Sequence, residues 1–194
     1  MDWNLPNQLT VGRIVLAIVF FVLLGLYNPA APSGPPLLLA AFVIYIVAGI
    51  TDVLDGYLAR KWEQVSAFGR IVDPFVDKIL VVGAFAMLAG ANFVVPPASA
   101  EAYEGVPGWL SGGMLSGIQA WMVVVVLGRE FIVSALRGYS ESRGRKFPAT
   151  YAGKAKMFVQ SVAICTILMQ VAYIHAPWAI WLKLALVWAA VVVT

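Results

Sequence analysis

Six apolar runs, each near the ~20 residues that cross about 30 Å of hydrocarbon, constrain this chain more than any other feature. They occupy roughly residues 11–27, 37–54, 71–91, 118–136, 157–174 and 178–194. In a chain of 194 residues they leave no room for a separate soluble domain. The composition agrees: 61% hydrophobic and 12% charged residues, with a mean hydropathy of +0.86. Soluble domains lie nearer half apolar and a quarter charged, and disordered chains are poorer still in apolar residues. The expected fold class is therefore an all-α integral membrane protein with six transmembrane helices, forming one domain over residues 1–194. The single cysteine, Cys165, excludes an intramolecular disulfide and a zinc site built on cysteines, and in its apolar run it reads as a packing residue.

Proline and glycine punctuate the gaps, as at Asn28-Pro29, Pro35-Pro36, Pro96-Pro97, Pro107-Gly108 and Pro177. The gaps differ in charge. Residues 28–36 carry none, and residues 92–117 carry only Glu101 and Glu104. By contrast, Arg60, Lys61 and Arg70 follow the second run, and Arg137, Arg143, Arg145, Lys146, Lys154 and Lys156 follow the fourth. Positive charge in short loops marks the cytoplasmic side, so both termini and the two basic loops are expected there, in the cell's inner membrane. The net charge of +3 then reflects a membrane surface, not nucleic acid. Trp109, Trp121, Trp178 and Trp181 would form an outer aromatic belt, with His175 nearby and incidental. At the N-terminus, Arg13 alone precedes the apolar run and no clear cleavage site follows, which argues against a signal peptide. Residues 2–9 are amphipathic and are expected to lie flat on the cytoplasmic interface as a short helix, the chain turning inward at Thr10.

Four of the five aspartates fall between positions 52 and 77. Asp52 and Asp55 are three apart, Asp73 and Asp77 four apart, so on helices each pair shares a face. The second and third runs are antiparallel neighbours, and their inner ends would bring both pairs to one point. Four carboxylates there repel each other unless cations sit among them. Two divalent cations would cancel the charge, and an all-oxygen donor set suits Mg2+ or Mn2+. The plainer alternative is a set of ion pairs with Arg60, Lys61, Arg70 and Lys78, or a proton pathway. Gly56 and Ala59 share the face of Asp52 and Asp55 and leave it slim, either as a packing seam or as a cradle for a ligand. Arg60 beside them could clamp a diphosphate. Pro74 is tolerable if the third helix starts near Gly69 or Arg70.

Written out, the stretch is Asp52-x2-Asp55-Gly56-x2-Ala59-Arg60-x8-Gly69-x3-Asp73-x3-Asp77, eight fixed positions over 26 residues. It resembles the signature of the CDP-alcohol phosphatidyltransferases, with every position filled and every gap of the expected length. The resemblance implies a six-helix membrane enzyme, usually a homodimer, with its site at the cytoplasmic interface. Such enzymes displace CMP from a CDP-linked lipid or alcohol with a hydroxyl acceptor. It further implies that Asp52, Asp55, Asp73 and Asp77 hold two divalent metals. Asp52, Asp55, Gly56, Ala59, Arg60, Gly69 and Asp73 would line the CDP-lipid site, and Asp77 would be the general base.

Outside the signature, Asn4-Leu5-Pro6-Asn7-Gln8-Leu9-Thr10 with Arg13, Asp73-Pro74-x2-Asp77-Lys78, Gly128-Arg129-Glu130-Phe131, Ser134-Ala135-Leu136-Arg137 and Gly153-Lys154-x-Lys156 resemble the branch that transfers the phosphatidyl group of CDP-diacylglycerol to sn-glycerol 3-phosphate. Residues 143–148 and Met157 depart from that pattern. A phosphorylated acceptor is a dianion, and Arg129, Arg137, Lys154 and Lys156 are the cations expected to bind it. On a helix, Glu130 projects roughly 100° away from Arg129 and is expected to pair elsewhere. Other acceptors compatible with the signature are inositol or its phosphate, serine and phosphatidylglycerol. A divalent-cation transporter is the alternative of a different class, although transport sites tend to lie at mid-depth, not at one membrane face.

Overall fold

The computed structural model describes residues 5–61, 67–99, 101–144 and 151–194. Every long element among them is a helix: α1 (Leu5–Leu26), α2 (Gly34–Lys61), α3 (Ala67–Leu88), a single turn α4 (Gly108–Ser111), α5 (Ala120–Ser142), α6 (Tyr151–Ala172) and α7 (Pro177–Val192). The six long helices overlie the six apolar runs. Three of them are long and apolar enough to cross a membrane, over Gln8–Leu26, Gly34–Leu54 and Ala155–Ala172, and Pro177–Val192 is apolar but shorter. Helices α3 and α5 carry Arg70, Asp73, Asp77 and Lys78, and Arg129, Glu130 and Arg137, which lowers their hydropathy.

Local sequence explains the boundaries. Pro35 and Pro36 follow Gly34 at the start of α2, and Pro177 opens α7, both in the first turn where a missing N–H costs nothing. Two expectations fail at helix starts. Helix α1 runs unbroken through Thr10, so residues 5–9 continue the long helix and do not turn away as an interfacial one. Leu5 and Leu9 fall in register with the apolar residues beyond them, which favours propagation over a new start. Helix α3 begins at Ala67, so Pro74 lies past its first turn and offers no N–H to the carbonyl of Arg70.

Each helix buries one stripe, mostly apolar, and several stripes carry charged or polar side chains at the end where α1 begins. In α1 the buried side chains among the described residues are Thr10, Arg13, Ala17, Phe20 and Leu24. In α2 they are Leu38, Ala41, Tyr45 and Ala48, and the same spacing continues to Asp52. Helix α3 buries Leu80, Val81, Ala84 and Leu88 on the face headed by Asp77. Helix α5 buries Met122, Val126 and Glu130, and α6 buries Lys156, Gln160, Ala163 and Ile167. Spacings of three and four keep each set on one side of its helix. Helix α1 packs along α2 and α3, α2 against α6, α6 against α7, and α3 against α5. Gly83 permits the α1–α3 approach, since a Cβ there would lie 2.5 Å from the Phe21 ring. The outward faces are apolar too, as at Val22, Val43, Val124 and Phe131, which suits a lipid surround.

The opposite end is closed by residues 89–119. Tyr27 stacks on Phe93 at 4.7 Å between centroids, and Asn92 donates to the Gly25 carbonyl at 2.8 Å. Lys183 of α7 is wholly buried there and donates to Gln170 Oε1 and the Tyr103 hydroxyl, each at 2.8 Å, and to the Leu115 carbonyl. Burial pushes the Tyr103 phenol up to about 12, so it remains a donor to the Leu115 carbonyl at 3.0 Å. Gly117 just beyond has φ +75°, and a Cβ on it would lie 2.6 Å from Leu184. Trp109, Trp121, Trp178 and Trp181 are all exposed, and Trp109 and Trp121 each meet Trp188 at 5.8 Å.

Candidate active site

The polar heads of the stripes converge. Helix α1 supplies Arg13, 1% exposed, whose Nη1 donates to Asp52 Oδ1 of α2 and to Asp77 Oδ1 of α3, the latter at 2.7 Å. The two aspartates are partly open, with side-chain exposures of 38% and 23%. One guanidinium nitrogen of α1 thus joins carboxylates 25 residues apart, Asp52 on α2 and Asp77 on α3, and α1 packs along both of these helices. The side chains of Asp55, Gly56, Ala59, Arg60, Gly69 and Asp73 lie outside the described residues. Among the described residues no group of three or more His, Cys, Asp or Glu side chains gathers. The donor chemistry nevertheless fits hard divalent cations: the described ligand candidates are carboxylate oxygens, and a positive charge already bridges them.

Two cavities reach this point along adjoining faces of α3, sharing Asp77 and Val81. The larger, about 690 Å3, runs between α2, α3 and α6. Phe42, Ile46, Leu80, Val81 and Val162 make it apolar, and Asp52 and Asp77 stand at its polar end. The smaller, about 250 Å3, lies between α3, α5 and α6 and is lined by Asp77, Lys78, Glu130, Arg137, Lys156 and Gln160 among others. Asp77 borders both. An apolar groove with acidic groups at its mouth suits a lipid whose polar head is carried by metals. A small pocket with three cations suits a compact anion.

Arg137 and Lys156, expected at an acceptor phosphate, line the smaller cavity. Arg129 is not among its lining residues; its Nη1 donates to Glu130 Oε1 at 2.8 Å. The expectation that Glu130 pairs away from Arg129 is therefore corrected: it pairs with Arg129 and also with Lys156. Helical geometry separates the two Cβ atoms by about 100°, but the long Arg side chain curls across that gap. The Lys154 side chain lies outside the described residues. Trp109, Trp121, Trp178 and Trp181 border neither cavity, and of the two Cys165 lines the apolar groove. In the sequence Arg13, Lys78 and Ser134 stand out as parts of motifs, and Lys78 also as a candidate ion-pair partner of the aspartates. Lys78 lines the smaller cavity and donates to Ser134 Oγ. A signal for Arg13 exists in retrospect, since it is a cation at the head of an otherwise apolar stripe.

Residues 3–194 match the family model described as CDP-alcohol phosphatidyltransferase. The chain is 31% identical over 191 residues to a Bacillus subtilis (strain 168) protein named CDP-diacylglycerol–glycerol-3-phosphate 3-phosphatidyltransferase, covering 92% of this chain and 86% of that one. Proteins of the same name from Haemophilus influenzae and Escherichia coli K12 are 33% and 32% identical. The first covers 84% of this chain and 75% of the relative, the second 100% and 90%.

Proposed function

The chain belongs to the CDP-alcohol phosphatidyltransferase family, and from that premise we propose that it transfers the phosphatidyl group of CDP-diacylglycerol to sn-glycerol 3-phosphate, forming phosphatidylglycerophosphate and CMP. The observation that carries this reading is the position of Asp77, at the junction of the apolar groove and the cationic pocket. A lipid in the first and a phosphorylated acceptor in the second would meet at that carboxylate.

In this reading the acyl part of CDP-diacylglycerol lies along α2 and α6, and Asp52, Asp55, Gly56, Ala59, Arg60, Gly69 and Asp73 receive its cytidine diphosphate end. Asp52, Asp55, Asp73 and Asp77 would hold two Mg2+ or Mn2+ ions, which when bound neutralise charge on the diphosphate and orient the attacked phosphorus. Arg13 holds Asp52 and Asp77 in place. Lys78, Arg137 and Lys156, with Lys154 and Arg129 as further cations of that end, draw in the acceptor phosphate. Asp77 takes the proton of the acceptor hydroxyl as its oxygen bonds to the phosphatidyl phosphorus. The bond from that phosphorus to the CMP oxygen breaks, and CMP leaves with the electron pair. Six membrane spans in one domain, a site facing the cytoplasm from the inner membrane, and assembly as a homodimer complete the proposal.

The test is CMP release by purified protein given CDP-diacylglycerol and Mn2+ with each acceptor in turn. Glycerol 3-phosphate should stimulate release well above serine, inositol phosphate or phosphatidylglycerol. Stimulation by one of those instead, or by none, overturns the acceptor assignment.

A further inference from the structure

Glu130 is a buried carboxylate at the edge of a pocket that the proposed function assigns to an anion, where a negative charge would repel the ligand. Its partners explain its presence. Oε1 accepts from Lys156 of α6 and from Arg129 of α5, so one oxygen gathers two cations. Its main-chain carbonyl accepts from Ser134 Oγ at 2.7 Å, and that hydroxyl in turn accepts from Lys78 of α3. Both lysines of the pocket, from two different helices, are therefore referred to the same residue of a third. Without that reference, Lys78 and Lys156 are like charges facing one small cavity on long, rotamer-rich stems, free to splay towards solvent.

We propose that Glu130 is a positioning residue for the acceptor: its carboxylate fixes Lys156, and its carbonyl, through Ser134, fixes Lys78, so that an acceptor phosphate is held with its hydroxyl side towards Asp77. This rests on the proposed function. Glu130 partly neutralises Lys156 and leaves Lys78 and Arg137 to balance a phosphate dianion. It lies in the wall of the cavity, but its Oε1 is taken by Arg129 and Lys156, so it acts on the ligand through the cations. Its effect therefore falls on the acceptor and not on the CDP-lipid, whose groove it does not border.

The test uses the full chain in detergent and reads KM for glycerol 3-phosphate, KM for CDP-diacylglycerol and kcat. Glu130→Gln should raise KM for glycerol 3-phosphate by about tenfold, leaving KM for the lipid within about twofold. Glu130→Asp should recover part of the loss, and Ser134→Ala should give a smaller rise confined to the same substrate. In a Lys156→Met background, Glu130→Gln should add little, because the two act as a unit. An unchanged acceptor KM, an equal rise for both substrates, or full additivity with Lys156→Met overturns the inference. If Glu130 variants do not fold, Ser134→Ala and Lys156→Met still decide it, since both must raise only the acceptor KM. Absence of any response of the unmodified protein to glycerol 3-phosphate defeats the underlying reading instead, so the two failures are distinct.

Discussion

Arg13 and Asp77 carry the charges on which the site turns. Asp77 faces both cavities, and the other carboxylate lining the smaller one, Glu130, is committed to Lys156 and Arg129, while Asp52 lines only the apolar groove of the two. Asp77→Asn should therefore lower CMP release by about 100-fold or more, while CDP-lipid binding, measured by equilibrium titration with a non-transferable analogue, should fall far less. Arg13 occupies a different position. Its guanidinium joins two carboxylates that otherwise repel each other, and its side chain is fully buried. Breaking a buried ion pair costs about 3–5 kcal/mol, and the partial exposure of Asp52 and Asp77 reduces that figure. Arg13→Gln should lower the thermal midpoint without added metal. It should also enlarge the upward shift produced by Mn2+, because the cation then replaces the positive charge that Arg13 brought to those two carboxylates. A midpoint and a shift equal to those of the unmodified protein would contradict this role.

At the scale of elements, the helices meet through stripes that change chemistry along their length. The apolar part, as in Phe20, Leu24, Leu38, Ala84 and Ile167, sets which faces touch. The head of each stripe then brings Arg13, Asp52, Asp77, Glu130 and Lys156 together without any separate device. The distal end is held by a different contact, Lys183 with Tyr103, Leu115 and Gln170, which ties α6 and α7 to the connecting segment. Lys183→Met keeps the volume but leaves the buried Gln170 amide oxygen without its donor and the Leu115 carbonyl with the Tyr103 hydroxyl alone, at about 1–3 kcal/mol. Thermal unfolding in detergent should show that loss, with both substrate KM values unchanged, since this network does not border either substrate cavity. A shift in either KM would mean that the two ends of the bundle are coupled.

Across the whole molecule, the net charge of +3 conceals uneven clustering: Asp52 and Asp77 are the charges of the apolar groove, and Lys78, Arg137 and Lys156 gather with Asp77 and Glu130 in the smaller cavity. The bundle itself is held by apolar packing, with Arg13 bridging Asp52 and Asp77. Chelation with EDTA is accordingly expected to abolish CMP release while leaving the helical circular dichroism intact, with activity returning on addition of Mg2+ or Mn2+. Loss of helix on chelation would make the metals structural. The helical class was legible in the apolar runs, because a run of ~20 apolar residues has few other ways to satisfy its backbone in lipid. That Asp52 continues the buried stripe of α2 and Asp77 heads that of α3 was legible for a similar reason, since helical periodicity fixes which residues of one helix share a face. Periodicity does not say which face meets which helix. Only the tertiary structure placed Arg13 between Asp52 and Asp77, turned Arg129 onto Glu130, linked Lys78 to Ser134 and buried Lys183. Each of these is a contact between side chains long enough to reach several neighbours, and the packing of stripes decides which neighbour is within reach.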